Sequence, residues 1–127
     1  MADDMLAEGT AIKEQMFGPE HGQKKLDSMS TFRREFEEIV TRYCFAEVWG
    51  RDGLPRATRS LVTIGMLAAL GRSQEIQWHT QAAISNGATK EQVKEVLIHA
   101  MIYAGVPAAV DGFANAEKAL NELGLGD

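Results

Sequence analysis

A chain of 127 residues with 45% hydrophobic and 24% charged side chains is sized for one soluble domain with a modest core. Its formal charge of -5 provides no electrostatic footprint for phosphate backbones, which excludes nucleic acid as an expected partner. The single cysteine, Cys44, excludes an intrachain disulfide and a Cys-x-x-Cys redox pair. We take residues 1–127 as one domain.

Apolar residues recur at helical spacing nearly throughout and almost nowhere alternate, so an all-α fold is expected. A first helix spans about residues 5–16 and stops at Gly18-Pro19. The polar stretch 20–30 reads as irregular. A long helix then runs from Ser30 or Thr31 to Trp49, turning Phe32, Phe36, Ile39, Val40 and Tyr43 inward. Cys44 on that helix reads as a small buried hydrophobe. Asp52-Gly53-Leu54-Pro55 reads as a turn.

The next helix, about residues 56–70, interleaves Gly65, Ala68 and Ala69 with larger side chains, a surface suited to close packing. Another, about residues 73–86, ends on Gly87 as a left-handed cap. Thr89-Lys90-Glu91-Gln92 has the form of a capping box and starts a helix reaching Tyr103. Gly105 interrupts the pattern, and Pro107 suits the first turn of a last helix with Val110, Phe113, Ala114 and Leu120 inward. So much helix with broad apolar faces predicts burial between subunits, with a symmetric dimer as the minimal unit. The N-terminus lacks the basic flank of a secretion signal, and the stretch 61–70 is too short to cross a bilayer. The cytoplasm is the expected compartment, with no membrane partner.

Chemistry points to two histidines. His79 lies eight residues before Gly87, about 12 Å along its helix, and His99 lies ten after Thr89, about 15 Å along the next. An antiparallel helix hairpin sets them at matching heights. Imidazole is the side chain best suited to move protons near neutral pH. Each histidine also has a plain packing role open to it, His79 beside Trp78 and His99 beside the Val93, Val96, Leu97, Ala100 stripe. Glu47 and Arg42 on the long helix, and Arg56 and Arg59 at the start of the next, are the charged groups suited to join them. A carboxylate orients an imidazole or accepts a proton, and a guanidinium grips a substrate carboxylate in bidentate fashion. Glu47, His79 and His99 would also make an ordinary metal-ligand set, but without the close spacing of His-Glu-x-x-His. No glycine-rich phosphate loop or cofactor motif is present, so neither a metal nor an organic cofactor is expected.

Several clusters together resemble the carboxymuconolactone decarboxylase family. They are Arg59-Ser60-Leu61-Val62, Ala68-Ala69-Leu70-Gly71-Arg72, His79 with Ala82-Ala83, Asn86-Gly87, and Glu91 through Glu95. His99 followed by Ile102-Tyr103-Ala104-Gly105-Val106-Pro107-Ala108-Ala109 completes the pattern, and Glu47-Val48-Trp49-Gly50-Arg51 matches upstream. The resemblance implies an all-helical AhpD-like domain assembled from intertwined dimers, commonly into hexamers. Peroxidase relatives in the wider superfamily carry Cys-x-x-Cys before the histidine matching His79, where this chain has Arg72 and Glu75. Thiol peroxidase chemistry is therefore not expected.

The resemblance implies a carboxy-lyase that converts 4-carboxymuconolactone to 3-oxoadipate enol-lactone in aromatic catabolism. Its implied site has His79, His99 and Glu47 as catalytic groups and Arg59, Arg42, Trp49 and Tyr103 against the substrate. The chain departs from the family at Cys44-Phe45-Ala46, where Ala-Trp-Gly is common, and at Gln81, where arginine is common. The other readings are a lyase or isomerase acting on another small carboxylated lactone, and a non-enzymatic helical oligomer.

Overall fold

The computed structural model describes residues 2–127, with side chains from Asp4 onward, and among them there are helices and turns but no strand. The chain divides into two compact units, one up to Leu54 and one from Pro55 on.

In the first unit α1 (Ala2–Phe17) ends at Gly18, whose φ of 107° is a conformation favourable to glycine. The stretch expected to be irregular is ordered instead. It forms a single 3-10 turn (Pro19–His21) and α2 (Gln23–Ser28), with Leu26 buried. The expected long helix is two helices in continuous succession, α3 (Thr31–Val40) and a π-helix (Thr41–Trp49). Its buried face also differs from expectation. Phe32, Phe36, Ile39 and Tyr43 are exposed, while Glu37, Thr41, Phe45, Ala46 and Trp49 are buried. Cys44 is exposed as well.

The reason for the inversion lies in α1, which packs along the π-helix with a charged group at the contact. Lys13 is buried there and its Nζ donates to Glu37 Oε1 at 2.8 Å, so the polar stripe of α3 turns toward α1. Gly9 permits this approach, since a Cβ there would collide with the carbonyl oxygen of Thr41. Gly9→Ala is expected to cost about 1–3 kcal/mol, because overpacked backbone contacts relieve only by helix displacement. Urea unfolding checks this, and an unchanged midpoint would mean that α1 is not seated as described.

The second unit is four helices: α4 (Arg56–Leu70), α5 (Ser73–Ser85), α6 (Lys90–Ala104) and α7 (Val106–Glu122). Their ends follow local chemistry. Gly71 is left-handed at φ 72°, and Gly87 has φ 101°. At Gly87 the Ala88 N–H donates to Ala83 O at 2.8 Å and the Gly87 N–H to Ile84 O at 3.1 Å, a Schellman arrangement. The expected capping box is present, with the Gln92 N–H donating to Thr89 Oγ1 and the Thr89 N–H to Gln92 Oε1.

The core comprises Ile64 and Ala68 of α4, Ile76 and Ala83 of α5, Val93, Leu97 and Ala100 of α6, and Ala116 of α7, with Ala88 from the turn. Of the residues expected on the inward face of α7 only Leu120 is buried, and Ala114 is exposed. Ala109, Gly112, Ala116, Ala119 and Leu120 are buried, whereas Val110 and Phe113 are exposed. A face of small residues lets α7 lie close to its neighbours, and that packing outweighs burial of the larger side chains. Along α5 and α7 a polar ladder forms from Ser73 Oγ donating to Asp111 Oδ2 at 2.7 Å and Gln77 Nε2 to Asn115 Oδ1 at 2.6 Å. Gln81 Nε2 extends it to Glu122 Oε2 at 3.2 Å.

Candidate active site

The chain reverses between α5 and α6 as expected, but each helix beds on α4 and α7, with little direct contact between the two. Matching height along the helices therefore does not place both imidazoles on one wall. His99 lines a groove of about 740 Å³ between α4 and α6, and His79 and Arg59 are not among the groove residues.

The α6 wall of that groove carries Glu95, His99 and Tyr103 at four-residue steps, which puts them in one column of the helix. The His99 and Tyr103 rings are stacked, with centroids 5.1 Å apart and planes inclined by 28°. From α4 come Thr58, Leu61, Val62, Gly65 and Met66. The groove is thus mostly apolar with a carboxylate, an imidazole and a phenol on one side, an arrangement that orients a small polar ligand against an apolar floor. Glu95 and Thr58 were not singled out from sequence. The i, i+4 spacing of Glu95 to His99 was the available signal for the first, whereas Thr58 carried none.

His79 is half-buried on α5, beside the buried Ile76, Thr80, Ala82 and Ala83. Burial pushes its pKa below the ordinary 6.5, and Glu75, one turn earlier, opposes the shift only in part. The imidazole is accordingly neutral at pH 7. Because the folded-state value is the lower one, the associated stability is present above pH 6.5 and is lost as the pH falls through the folded value. Imidazole titration by NMR is expected to give a His79 midpoint below 6.5, and a midpoint above it would contradict this burial.

Arg59 occupies the first turn of α4, half-buried, and its Nε is buried with no hydrogen-bond partner among the described residues. A buried guanidinium N–H in that state has free donor capacity for a carboxylate. Nearby, the buried Ser60 Oγ accepts from Asn86 Nδ2 at 2.9 Å, which ties the start of α4 to the end of α5. In the first unit Arg42 is half-buried and Glu47 exposed on the π-helix, while Trp49 is buried. Gln81 Nε2 donates to Glu122 Oε2. Among the described residues no three of His, Cys, Asp or Glu converge to hold a metal ion, and no helix is long and apolar enough to cross a membrane.

The helical fold and the histidine-bearing groove define an all-α domain of AhpD-like type. Residues 34–118 match the sequence model of the carboxymuconolactone decarboxylase family, and the chain belongs to that family. It is 39% identical over 118 residues to a 4-carboxymuconolactone decarboxylase of Acinetobacter baylyi, covering 93% of this chain and 88% of the relative. It is 31% identical over 119 residues to the nitrosuccinic acid decarboxylase npaB of Metarhizium robertsii, covering 94% and 83% respectively. A third similar protein, from Paracoccus denitrificans, is an uncharacterized 15.0 kDa protein matched at 33% over 66 residues, half of this chain and 49% of that one.

Proposed function

We propose that this enzyme is a decarboxylase that acts without a cofactor on 4-carboxymuconolactone, releasing CO2 and forming 3-oxoadipate enol-lactone. The observation that carries the reading is the 39% identity to a 4-carboxymuconolactone decarboxylase over most of both chains, in a protein whose groove presents His99. The chemistry suits a protein that supplies only side chains. The departing carboxylate sits on a ring carbon conjugated through the alkene to the lactone carbonyl. When the C–C bond breaks, its electron pair spreads into the carbonyl as a furan-like dienolate. A proton then adds at the carbon alpha to that carbonyl.

His99, on the groove wall and stacked on Tyr103, is assigned as the proton donor. His79, neutral at pH 7 but outside the groove that His99 lines, is kept as the proposed donor to the developing dienolate oxygen on the family resemblance alone. Arg59, likewise outside that groove, is proposed on the same ground to bind a substrate carboxylate through its free Nε–H. Tyr103, stacked on His99 at the groove wall, is assigned to the substrate contacts. Arg59→Ala is expected to raise KM about ten- to a hundredfold, the range for losing a charged hydrogen bond, with a smaller effect on kcat.

The reading includes a homo-oligomer in the cytoplasm. Phe32, Phe36 and Tyr43 in the first unit, and Met66, Leu70, Ile102, Tyr103 and Val110 in the second, are large exposed apolar side chains of the kind subunit contacts cover. Light scattering during gel filtration measures the assembly.

A second reading is favoured by the relative named for nitrosuccinic acid. Nitrosuccinate is also a small dicarboxylic acid, and loss of CO2 beside the nitro group leaves a nitronate, which is another delocalised anion. Both substrates place the same demands on Arg59 and on a proton donor. The test is CO2 release from each substrate by the purified protein without added metal. Turnover of 4-carboxymuconolactone with little from nitrosuccinate supports the first reading, the reverse pattern replaces it with the second, and no turnover of either overturns both.

A further inference from the structure

The groove between α4 and α6 carries one fixed charge. Apart from the titratable His99, Glu95 is the only one of its lining residues ionised at pH 7, and no lysine or arginine is among them. Among the described residues no ion pair or hydrogen bond neutralises the Glu95 carboxylate. The walls around it are largely apolar, with Leu61, Val62, Met66 and Val96. Beside such surfaces a charge is screened less than in open water, so its influence reaches further.

The position of that charge is set by α6. Glu95, His99 and Tyr103 follow one another at four-residue steps, each about 6 Å along the axis from the next, so the column is about 12 Å long. Its two ends differ in what they offer a carboxylate. Glu95 repels it, whereas the Tyr103 phenol can donate a hydrogen bond to it. His99 stands between them, its ring stacked on that of Tyr103 at 5.1 Å. The α4 wall offers one hydroxyl, that of Thr58, and no charge. A carboxylated ligand entering this groove therefore meets a polarity along α6 with one favourable direction.

We propose that Glu95 sets the direction of a carboxylated substrate in the groove: it turns ligand carboxylates away from its own end of the column and toward Tyr103, which lays the ring against His99. The inference rests on the reading that this groove is the substrate site. Glu95 takes no part in bond breaking or proton transfer; it is a specificity-determining residue that acts by repulsion. Losing an attractive contact weakens binding, but losing a repelling one strengthens it in the wrong orientation as well as the right one. Substrate held the wrong way round occupies the groove without reacting. That lowers kcat and KM by one factor and leaves kcat/KM, which reports the productive mode alone, nearly unchanged.

The test is Glu95→Gln, which keeps the shape of the side chain and removes its charge; Glu95 is exposed, so the exchange costs the fold little. With 4-carboxymuconolactone the variant is expected to lower kcat and KM together by about three- to tenfold, the size of one unit-charge repulsion across about 6 Å near a protein surface, with kcat/KM held within about twofold. Glu95→Asp, which keeps the charge, is expected to lie closer to the wild type in both constants. A KM that is unchanged or raised in Glu95→Gln, or equal effects of Gln and Asp, overturns the proposal. Binding is also read without turnover, by titrating cis,cis-muconate, a dicarboxylate without the lactone ring, and following the His99 imidazole resonances by NMR. The Kd is expected to be about three- to tenfold lower in Glu95→Gln than in the wild type. Equal or weaker binding, or no response of His99 in either protein, overturns the proposal. A wild-type protein that does not turn over 4-carboxymuconolactone would defeat the substrate assignment alone, since the muconate titration still decides whether Glu95 repels carboxylates from the groove.

Discussion

His99→Ala is expected to lower kcat by about 10²–10⁴, the range for removing a positioned general acid, with KM changed much less. His79→Ala is expected to lose about 10²–10³, the range for removing one donor to a developing oxyanion. The two substitutions also differ in how they are rescued. His79→Gln keeps an N–H donor without a titratable ring and is expected to recover part of the lost rate, whereas His99→Gln supplies no transferable proton and is not. Steady-state kinetics with 4-carboxymuconolactone checks both, with gel filtration to establish that each variant keeps the wild-type assembly. Wild-type kcat in His99→Ala would remove the proposed proton donor. Wild-type kcat in His79→Ala would leave His79 as a packing residue of α5.

Lys13→Met is expected to destabilise the protein by about 3–5 kcal/mol, because it strands a buried carboxylate. Burial alone pushes the Glu37 carboxyl up, but the Lys13 hydrogen bond and charge, helped by Lys25 at 3.8 Å and by Arg33, outweigh it and hold the pKa below 4.5. With the folded value depressed, the pair's contribution is present above pH 4.5 and is lost as the pH falls through the folded value. Without Lys13 only burial and the weaker cations remain, and the carboxyl shifts upward. The deficit of Lys13→Met relative to the wild type is therefore expected to shrink on acidification, because Glu37 takes up a proton at a higher pH in the variant than in the wild type and then no longer carries a buried charge. Urea unfolding at pH 7 and pH 5 measures this, and a deficit independent of pH would mean that the lost stability is not electrostatic.

The boundaries of α4 to α7 were legible because each is written in a few adjacent residues. Gly71 and Gly87 adopt backbone conformations that favour glycine, Thr89 and Gln92 cap each other, and Pro107 fits a first turn. Family membership was legible for a similar reason, since the quoted clusters are runs of neighbouring residues and the matched region, 34–118, contains most of them. The inward faces were less so. On α3 an apolar stripe suggested burial of Phe32 and Phe36, yet the stripe that meets α1 is the one with Glu37 and Thr41. On α7 the small residues Gly112 and Ala116, not Val110 and Phe113, face the other helices.

Sequence alone determined an all-helical chain, the turn at Gly87 and the column on α6 that carries His99 and Tyr103, since each depends on hydrogen bonds and dihedral angles within about one or two helical turns. Tertiary structure decided the rest. The two histidine helices bed on α4 and α7 rather than against each other, so equal height did not place the imidazoles on one wall. It likewise decided that Thr41–Trp49 winds as a π-helix against α1, with Lys13 in the interior. Those outcomes turn on side chains distant in sequence, Lys13 to Glu37 and Ser60 to Asn86, whose energies are realised only when the helices meet. Periodicity marks the faces that a helix can bury, but the partner selects which one it does.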